Sequence, residues 1–180
     1  MKRVNSKLTT VRIPRELYDV VSEDANSESV GFNTVLTRIL RKYVEWDRLA
    51  SKFGTITISR EGLVGFLALA NDEELDRLGS SFAKRIVEGS EFWFQASHLG
   101  SWLSLFNLMA KHGGLGVIRV TGSGKEKTIH LRHDLQISGS KFFAATIRAL
   151  LQGSDLKFKI EASQNAITVK LSGAKKGKGI

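Results

Sequence analysis

The sequence predicts an α+β chain in three parts: a strand-helix-helix segment (residues 1–52), an α+β domain with antiparallel hairpins (53–172) and a basic flexible tail (173–180). Two observations carry this. From Leu8 to Leu17 a period-two pattern passes into helical spacing across one proline, and in the second half two pairs of alternating segments flank short turn sequences.

Val11 and Ile13 fall on one face of the first predicted strand and Thr10 and Arg12 on the other, because successive side chains alternate. Pro14, the only proline, suits a first helical position, where its fixed φ and missing N–H do no harm. Leu17, Val20 and Val21 then form a short apolar stripe, with Glu16, Asp19, Glu23 and Asp24 off it. The polar stretch 26–29 turns the chain, Gly31 supplies a turn glycine, and Asn33 is a good N-cap for a second helix. That helix keeps Val35, Leu36, Ile39, Leu40, Tyr43 and Val44 at helical spacing.

In the second domain, 55–59 alternates as a strand, 62–70 is an apolar helix, and Asn71-Asp72-Glu73-Glu74 starts another with acids where the helix dipole favours them. Residues 91–96 read as a strand. Residues 98–111 form a helix carrying Leu99, Trp102, Leu103, Phe106 and Met109, stopped by Gly113-Gly114. The segments 117–121 and 127–131, joined across Gly122-Ser123-Gly124, read as a hairpin; so do 156–161 and 167–171 around Gln164-Asn165, with a helix at 140–151 between the hairpins. An echo between 82–91 and 146–155, each a helix, a Gly-Ser turn and a strand, would suit a ferredoxin-like sheet, and chance similarity of two helix ends explains it equally well.

The order strand, helix, turn, helix over residues 4–50 resembles the ribbon-helix-helix repressors, dimeric DNA-binding proteins, on the strength of Thr10-Val11-Arg12-Ile13-Pro14 and Gly31-Phe32-Asn33-Thr34. The resemblance implies that Thr10 and Arg12, with Leu8 at a third position, point at base edges. It also implies that Asn33 and Thr34 open a helix whose backbone N–H groups hold a phosphate. Leu8 stands where the family has a polar residue, so it meets a thymine methyl, or Lys7 takes over, or the register is shifted. Val35 replaces a small polar residue and weakens the phosphate clamp. The segment 129–135 is similar to a domain of uncharacterised archaeal proteins, which implies no activity.

One short strand has no pairing partner within this segment. Pairing with the same strand of a second chain gives a two-fold ribbon, so a homodimer, or a higher oligomer built from it, is expected. Such a ribbon fits the major groove of double-stranded DNA, where Arg pairs with guanine and Thr with a base edge or methyl.

The formal net charge of +9 favours polyanionic partners. Before Glu16 the chain holds Lys2, Arg3, Lys7, Arg12 and Arg15 with no acid, and Lys175, Lys176 and Lys178 form a second basic run. The N-terminal cations are expected on phosphates; the tail fits DNA contact or simple solvation equally well. With 42% hydrophobic residues the chain can bury a core, so it is not of the disordered class. No apolar run approaches a membrane span, and Met1-Lys2-Arg3 is not followed by the apolar stretch of a signal peptide, so no membrane partner and a cytoplasmic location are expected. Zero cysteines exclude disulfides, thiolate zinc sites and cysteine nucleophiles.

The chemistry-bearing candidates are few, and no metal, cofactor or catalytic residue is expected. His130 and His133 would face opposite sides of one strand. His98 and His112 lie about 21 Å apart along one helix, so neither pair shares a metal. A ribbon-helix-helix domain joined to a ferredoxin-like one resembles the nickel-responsive repressors, but their cysteine and clustered histidines are missing. Asp134 beside Arg132 and His133 is read as solvated charge at a strand end. Residues 122–128 resemble a phosphate loop, yet Arg119 and Glu126 occupy two required positions, and a hairpin turn fits better. Phe92, Trp93, Phe94, Trp102 and Phe106 read as core with a surplus that suits oligomerisation or a bound effector.

Together these features predict a dimeric, sequence-specific transcriptional regulator, a repressor by preference, whose C-terminal domain assembles dimers or senses an unidentified effector. The alternatives are a non-specific nucleoid-type or RNA-binding protein, and an enzyme or ligand-binding activity in the second domain.

Overall fold

The computed structural model describes residues 7–123, 126–152, 154 and 156–173. Lys2 and Arg3, the Gly124-Lys125 part of one turn and nearly all of the expected tail lie outside them. The chain divides into two compact units, Met1–Asp47 and Arg48–Ile180.

The first unit begins with helices and is not the expected β-α-α arrangement. Residues 7–14 form no strand. The alternation at 8–13 is real, but among the described residues no strand pairs with it, and alternation alone does not make a strand. Val11, expected to be buried, is 66% exposed, and Ile13 is half-buried. Helix α1 (Arg15–Ser27) follows Pro14, which serves as the N-cap in extended conformation and not as the first helical residue. Its carbonyl accepts from the N–H groups of Leu17 and Tyr18.

The chain leaves α1 through Ser29, in the left-handed region at φ 55, while Val30 N–H donates to Ala25 O at 2.9 Å and Ser29 N–H to Asn26 O at 3.1 Å. That is a Schellman ending with serine in the usual glycine place. Gly31 is instead the N-cap of α2 (Phe32–Lys42), and Asn33, expected to cap, lies inside the first turn. A π-helical turn, Tyr43–Asp47, completes the unit. Tyr18 stacks on Phe32 with ring centroids 4.8 Å apart, and Arg38 Nη2 donates to both Glu28 carboxylate oxygens at 3.0 and 2.9 Å.

The second unit opens with the single turn α3 (Arg48–Ala50). Residues 55–59, expected as a strand, have no regular structure: Ile56 is 88% exposed, and Ser59 Oγ accepts from Gly62 N–H to cap α4 (Arg60–Leu69). Helix α5 (Asp72–Phe94) starts in a capping box, with Glu74 N–H donating to Asn71 Oδ1 at 3.0 Å and Asn71 N–H to Glu74 Oε2 at 2.8 Å. It absorbs residues 91–94, expected as a strand. Ile86, Gly89, Ser90 and Trp93 keep helical spacing, so the aromatic run continues the buried stripe. Gly89-Ser90 is therefore helix and not a turn, and the echo with 146–155 fails.

Helix α6 (Leu99–Gly113) is capped by His98, whose Nδ1 accepts from Ser101 N–H, and ends at Gly114 with φ 69. Then come β1 (Val117–Ser123), β2 (Glu126–Arg132), α7 (Gln136–Leu151), β3 (Lys157–Ala162) and β4 (Ala166–Ser172). Both hairpins stand where expected. The four strands make one antiparallel sheet in the order β1-β2-β4-β3. Two hairpins around one helix replace the alternating units of a ferredoxin-like fold.

Alternation gives this sheet one buried face. Ile129, Leu131, Ile167, Val169 and Leu171 point inward, and α7 contributes Phe143, Ile147, Leu150 and Leu151 to the same core. Helix α5 packs on α7 at Gly79 and through the rings of Phe82 and Phe142, 5.3 Å apart; a Cβ on Gly79 would lie 2.6 Å from Ala145 Cβ and 2.7 Å from Phe142 O. Glycine there lets the two helices approach this closely.

Candidate nucleic-acid interface

The residues expected to read bases are exposed. Leu8 is 98% exposed, and Thr10 and Arg12 are exposed beside it, in a segment with no regular structure. Lys7 is exposed as well. Arg15 begins α1 and pairs with Asp19 at 3.6 Å, both side chains well exposed, so water screens the pair and Arg15 stays able to meet a phosphate.

Asn33 and Thr34 lie in the first turn of α2 on its exposed side. Thr34 N–H already donates to Gly31 O at 2.8 Å, which leaves the clamp one donor poorer than the resemblance implied. Val35 is 3% exposed. The departure from a small polar residue thus has a structural reason: with Ala25, Val35 is what α1 and α2 bury against each other.

Those two are the only fully buried hydrophobic residues described in this unit. Leu17, Val20, Ile39, Leu40 and Tyr43 are each between 46% and 58% exposed. The apolar stripes exist as expected, but within one chain they cover little.

Charge is distributed differently from what the basic N-terminus suggested. Residues 113–180 hold twelve Lys and Arg against four Asp and Glu, a surplus of eight out of the total of nine. The outward face of the sheet carries five of these twelve cations and two of the four acids, Glu126 and Glu161. Arg119, Arg132, Lys157, Lys159 and Lys170 point away from the core with His130, all exposed. Glu161 pairs with Lys159 at 2.8 Å and with Lys170 at 3.6 Å, which holds its carboxyl below the usual range and raises the Lys159 ammonium. Arg119, Arg132 and Lys157 carry no ion pair among the described residues. Sequence reasoning passed over this face, although the same alternation that placed the hairpins puts these cations on one side.

The histidines part company. His130 is on the open face with Nδ1 3.3 Å from Thr168 Oγ1, whereas His133 lies beyond the end of β2 and is 1% exposed. Leu135 N–H donates to His133 Nδ1 at 3.1 Å, and Nε2 lies 3.0 Å from Ser140 Oγ, whose own proton goes to Ser163 O at 2.5 Å. The ring must be neutral and protonated on Nε2. Nucleophile activation needs Nε2 to accept from the hydroxyl, so this buried pair is wired in the opposite sense. Asp134, expected as solvated charge, meets Arg60 at 3.4 Å with both exposed. Among the described residues no three His, Asp or Glu side chains gather to hold a metal.

The aromatic surplus is shared out. Phe53 packs against Phe92 and Trp93 with Arg85 4.5 Å above its ring, while Phe106 is buried and Trp102 donates to Ser97 Oγ. Trp102 and Phe106 line an apolar cavity of about 30 Å³ with residues of β1, β2 and α7. That is room for a water and far below the roughly 300 Å³ at which ligand pockets begin. No described helix is long and apolar enough to cross a membrane.

No family model, curated protein or solved structure matches this chain.

Proposed function

We propose that this protein is a dimeric DNA-binding regulator of transcription, acting as a repressor by occupying promoter DNA. One observation carries the proposal: α1 and α2 bury only Ala25 and Val35 and leave an apolar stripe on each helix in water. Two helices with so small a core gain most by covering each other's stripes in a second copy, and a two-fold pair presents two copies of the exposed segment 8–13 to DNA. Arg12 and Thr10 supply the chemistry, since a guanidinium pairs bidentately with guanine and a threonine meets a base edge or methyl.

A second reading draws on a separate observation. With eight of nine net charges in residues 113–180, the protein also suits sequence-independent binding of the nucleoid type. Binding of the full chain to its own upstream DNA against scrambled competitor, across a salt series and with Arg12→Ala alongside, separates the two. Preference for the upstream fragment that the variant loses supports the regulator. Tight binding blind to sequence and to the variant overturns it in favour of the second reading, and no binding to duplex at low salt overturns both.

A further inference from the structure

We infer that the open face of the β1-β2-β4-β3 sheet is a binding surface for the sugar-phosphate backbone of duplex DNA. The inference rests on the DNA-binding proposal above and deepens it, since it assigns the backbone contacts to a part of the chain that sequence reasoning left to assembly or sensing.

The register builds the surface. Arg119 stands opposite His130 and Val117 opposite Arg132 across β1 and β2; Lys159 stands opposite Lys170 and Lys157 opposite Ser172 across β3 and β4. Same-face neighbours lie roughly 6.8 Å apart along a strand and about 4.8 Å apart across strands, so the cations form a grid on the scale of a charged backbone. Thr121 and Thr128, directly opposed on the same face, add hydroxyls of the kind that bond phosphate oxygens.

Two cations of α7 are already answered. On the helical side Lys141 pairs with Asp72 and Arg148 with Asp76 at 3.2 Å, fastening α7 to α5. Arg119, Arg132 and Lys157 have no such partner among the described residues. Arg119 and Arg132 gather on β1-β2 and Lys157, Lys159 and Lys170 on β3-β4; against Glu126 and Glu161 on the same face they leave it net positive, which is complementary to a polyanion and repels a second copy of itself. Apart from His130 the outward positions of the strands hold no aromatic ring. Single-stranded nucleic acids are held by stacking bases on aromatic side chains, so phosphates of a duplex fit this surface better.

The test compares three full-chain variants with the native protein on the upstream duplex and on a scrambled duplex of equal length, each across a salt series. Arg119→Ala/Arg132→Ala/Lys157→Ala is expected to weaken binding to both duplexes by the same factor, about ten-fold or more, and to reduce the slope of log K against log salt by about 2–3. Lys141→Ala/Arg148→Ala, which removes charge from the helical side, is expected to leave the slope unchanged. Arg119→Lys/Arg132→Lys/Lys157→Arg keeps the charges and is expected to keep the slope.

An unchanged slope in the triple alanine variant, while Arg12→Ala still loses sequence preference, overturns the inference and leaves the regulator standing. Sequence-blind binding that the triple alanine variant loses supports the inference and overturns the regulator. Equal losses in Lys141→Ala/Arg148→Ala overturn the inference by showing that net charge alone is read. Tighter binding to single-stranded RNA of equal length overturns the assignment to duplex DNA.

Discussion

Ser140 Oγ lies 3.0 Å from His133 Nε2 and hands its own proton to Ser163 O, so one hydroxyl joins the start of α7 to the ends of β2 and β3. Burial pushes the His133 pKa below its ordinary value of 6.5, partly opposed by the neighbouring Asp134 carboxylate. The folded protein refuses a proton that the unfolded chain accepts. The contribution to stability is therefore complete above the ordinary histidine value and is lost as the pH falls below it. Denaturant unfolding from about pH 8 to pH 5 is expected to show this loss, and His133→Gln to flatten it while lowering stability throughout by about 1–3 kcal/mol. Ser140→Ala leaves Ser163 O and the imidazole N–H without their buried partner and is expected to cost about the same.

At Gly79 the distance to Ala145 decides the outcome. Gly79→Ala removes backbone freedom from the unfolded chain, which alone would stabilise the helix by roughly 1 kcal/mol. Against this, the new methyl would meet Ala145 Cβ, Phe142 O and Thr146 N all within 2.9 Å, and two of those are backbone atoms. Overpacking wins, and thermal unfolding is expected to show a net loss of about 1–3 kcal/mol.

Asn71→Ala is expected to lower stability by about 1 kcal/mol, because the N–H of Glu74 loses its acceptor at an exposed helix start. Asn71→Ser should restore most of it in the same melting experiment, since a hydroxyl serves as the cap.

Ile39→Lys/Tyr43→Lys places charge on the bare stripe that runs from α2 into the π-helical turn. Analytical ultracentrifugation is expected to turn a dimer into a monomer, with weaker DNA binding as the consequence. A native protein that sediments as a monomer at micromolar concentration would count against the dimer at once.

Legibility in the sequence followed the range of the interactions. Both hairpins and α6 were readable because alternation, turn residues and a glycine stop lie within a few positions of each other. The segment 8–13 alternates equally well, yet a strand needs a second set of N–H and C=O groups, and nothing local reveals that no described strand pairs with it. Residues 91–96 misled for a related reason: Phe92, Trp93 and Phe94 favour strands individually, while the stripe from Ile86 that keeps them helical shows only over a longer window. The histidines were expected to be structural or at the surface, and what buries His133 shows only in the fold: its backbone N–H donates to Asn165 O, thirty-two residues on, and Ser140, which meets its ring, is itself held by Ser163 O. For the candidate interface the residues of 7–15 were visible, but the cations of the sheet were passed over, because they lie on four separate strands and only the pairing of the strands brings them onto one face.

The strand order leaves β1 and β3 as edges with unpaired backbone groups, a standing invitation for sheets to join into fibres. On β3, Lys157 and Lys159 alternate with the inward Phe158 and Ile160; β1 carries Arg119 and, one residue before its end, Gly122 at φ 86, where a Cβ would strike Glu126 O. Charge on one border and a forced bend on the other make continuation into a neighbouring sheet unfavourable. The cations of the proposed DNA-binding face would thereby also keep the protein from polymerising.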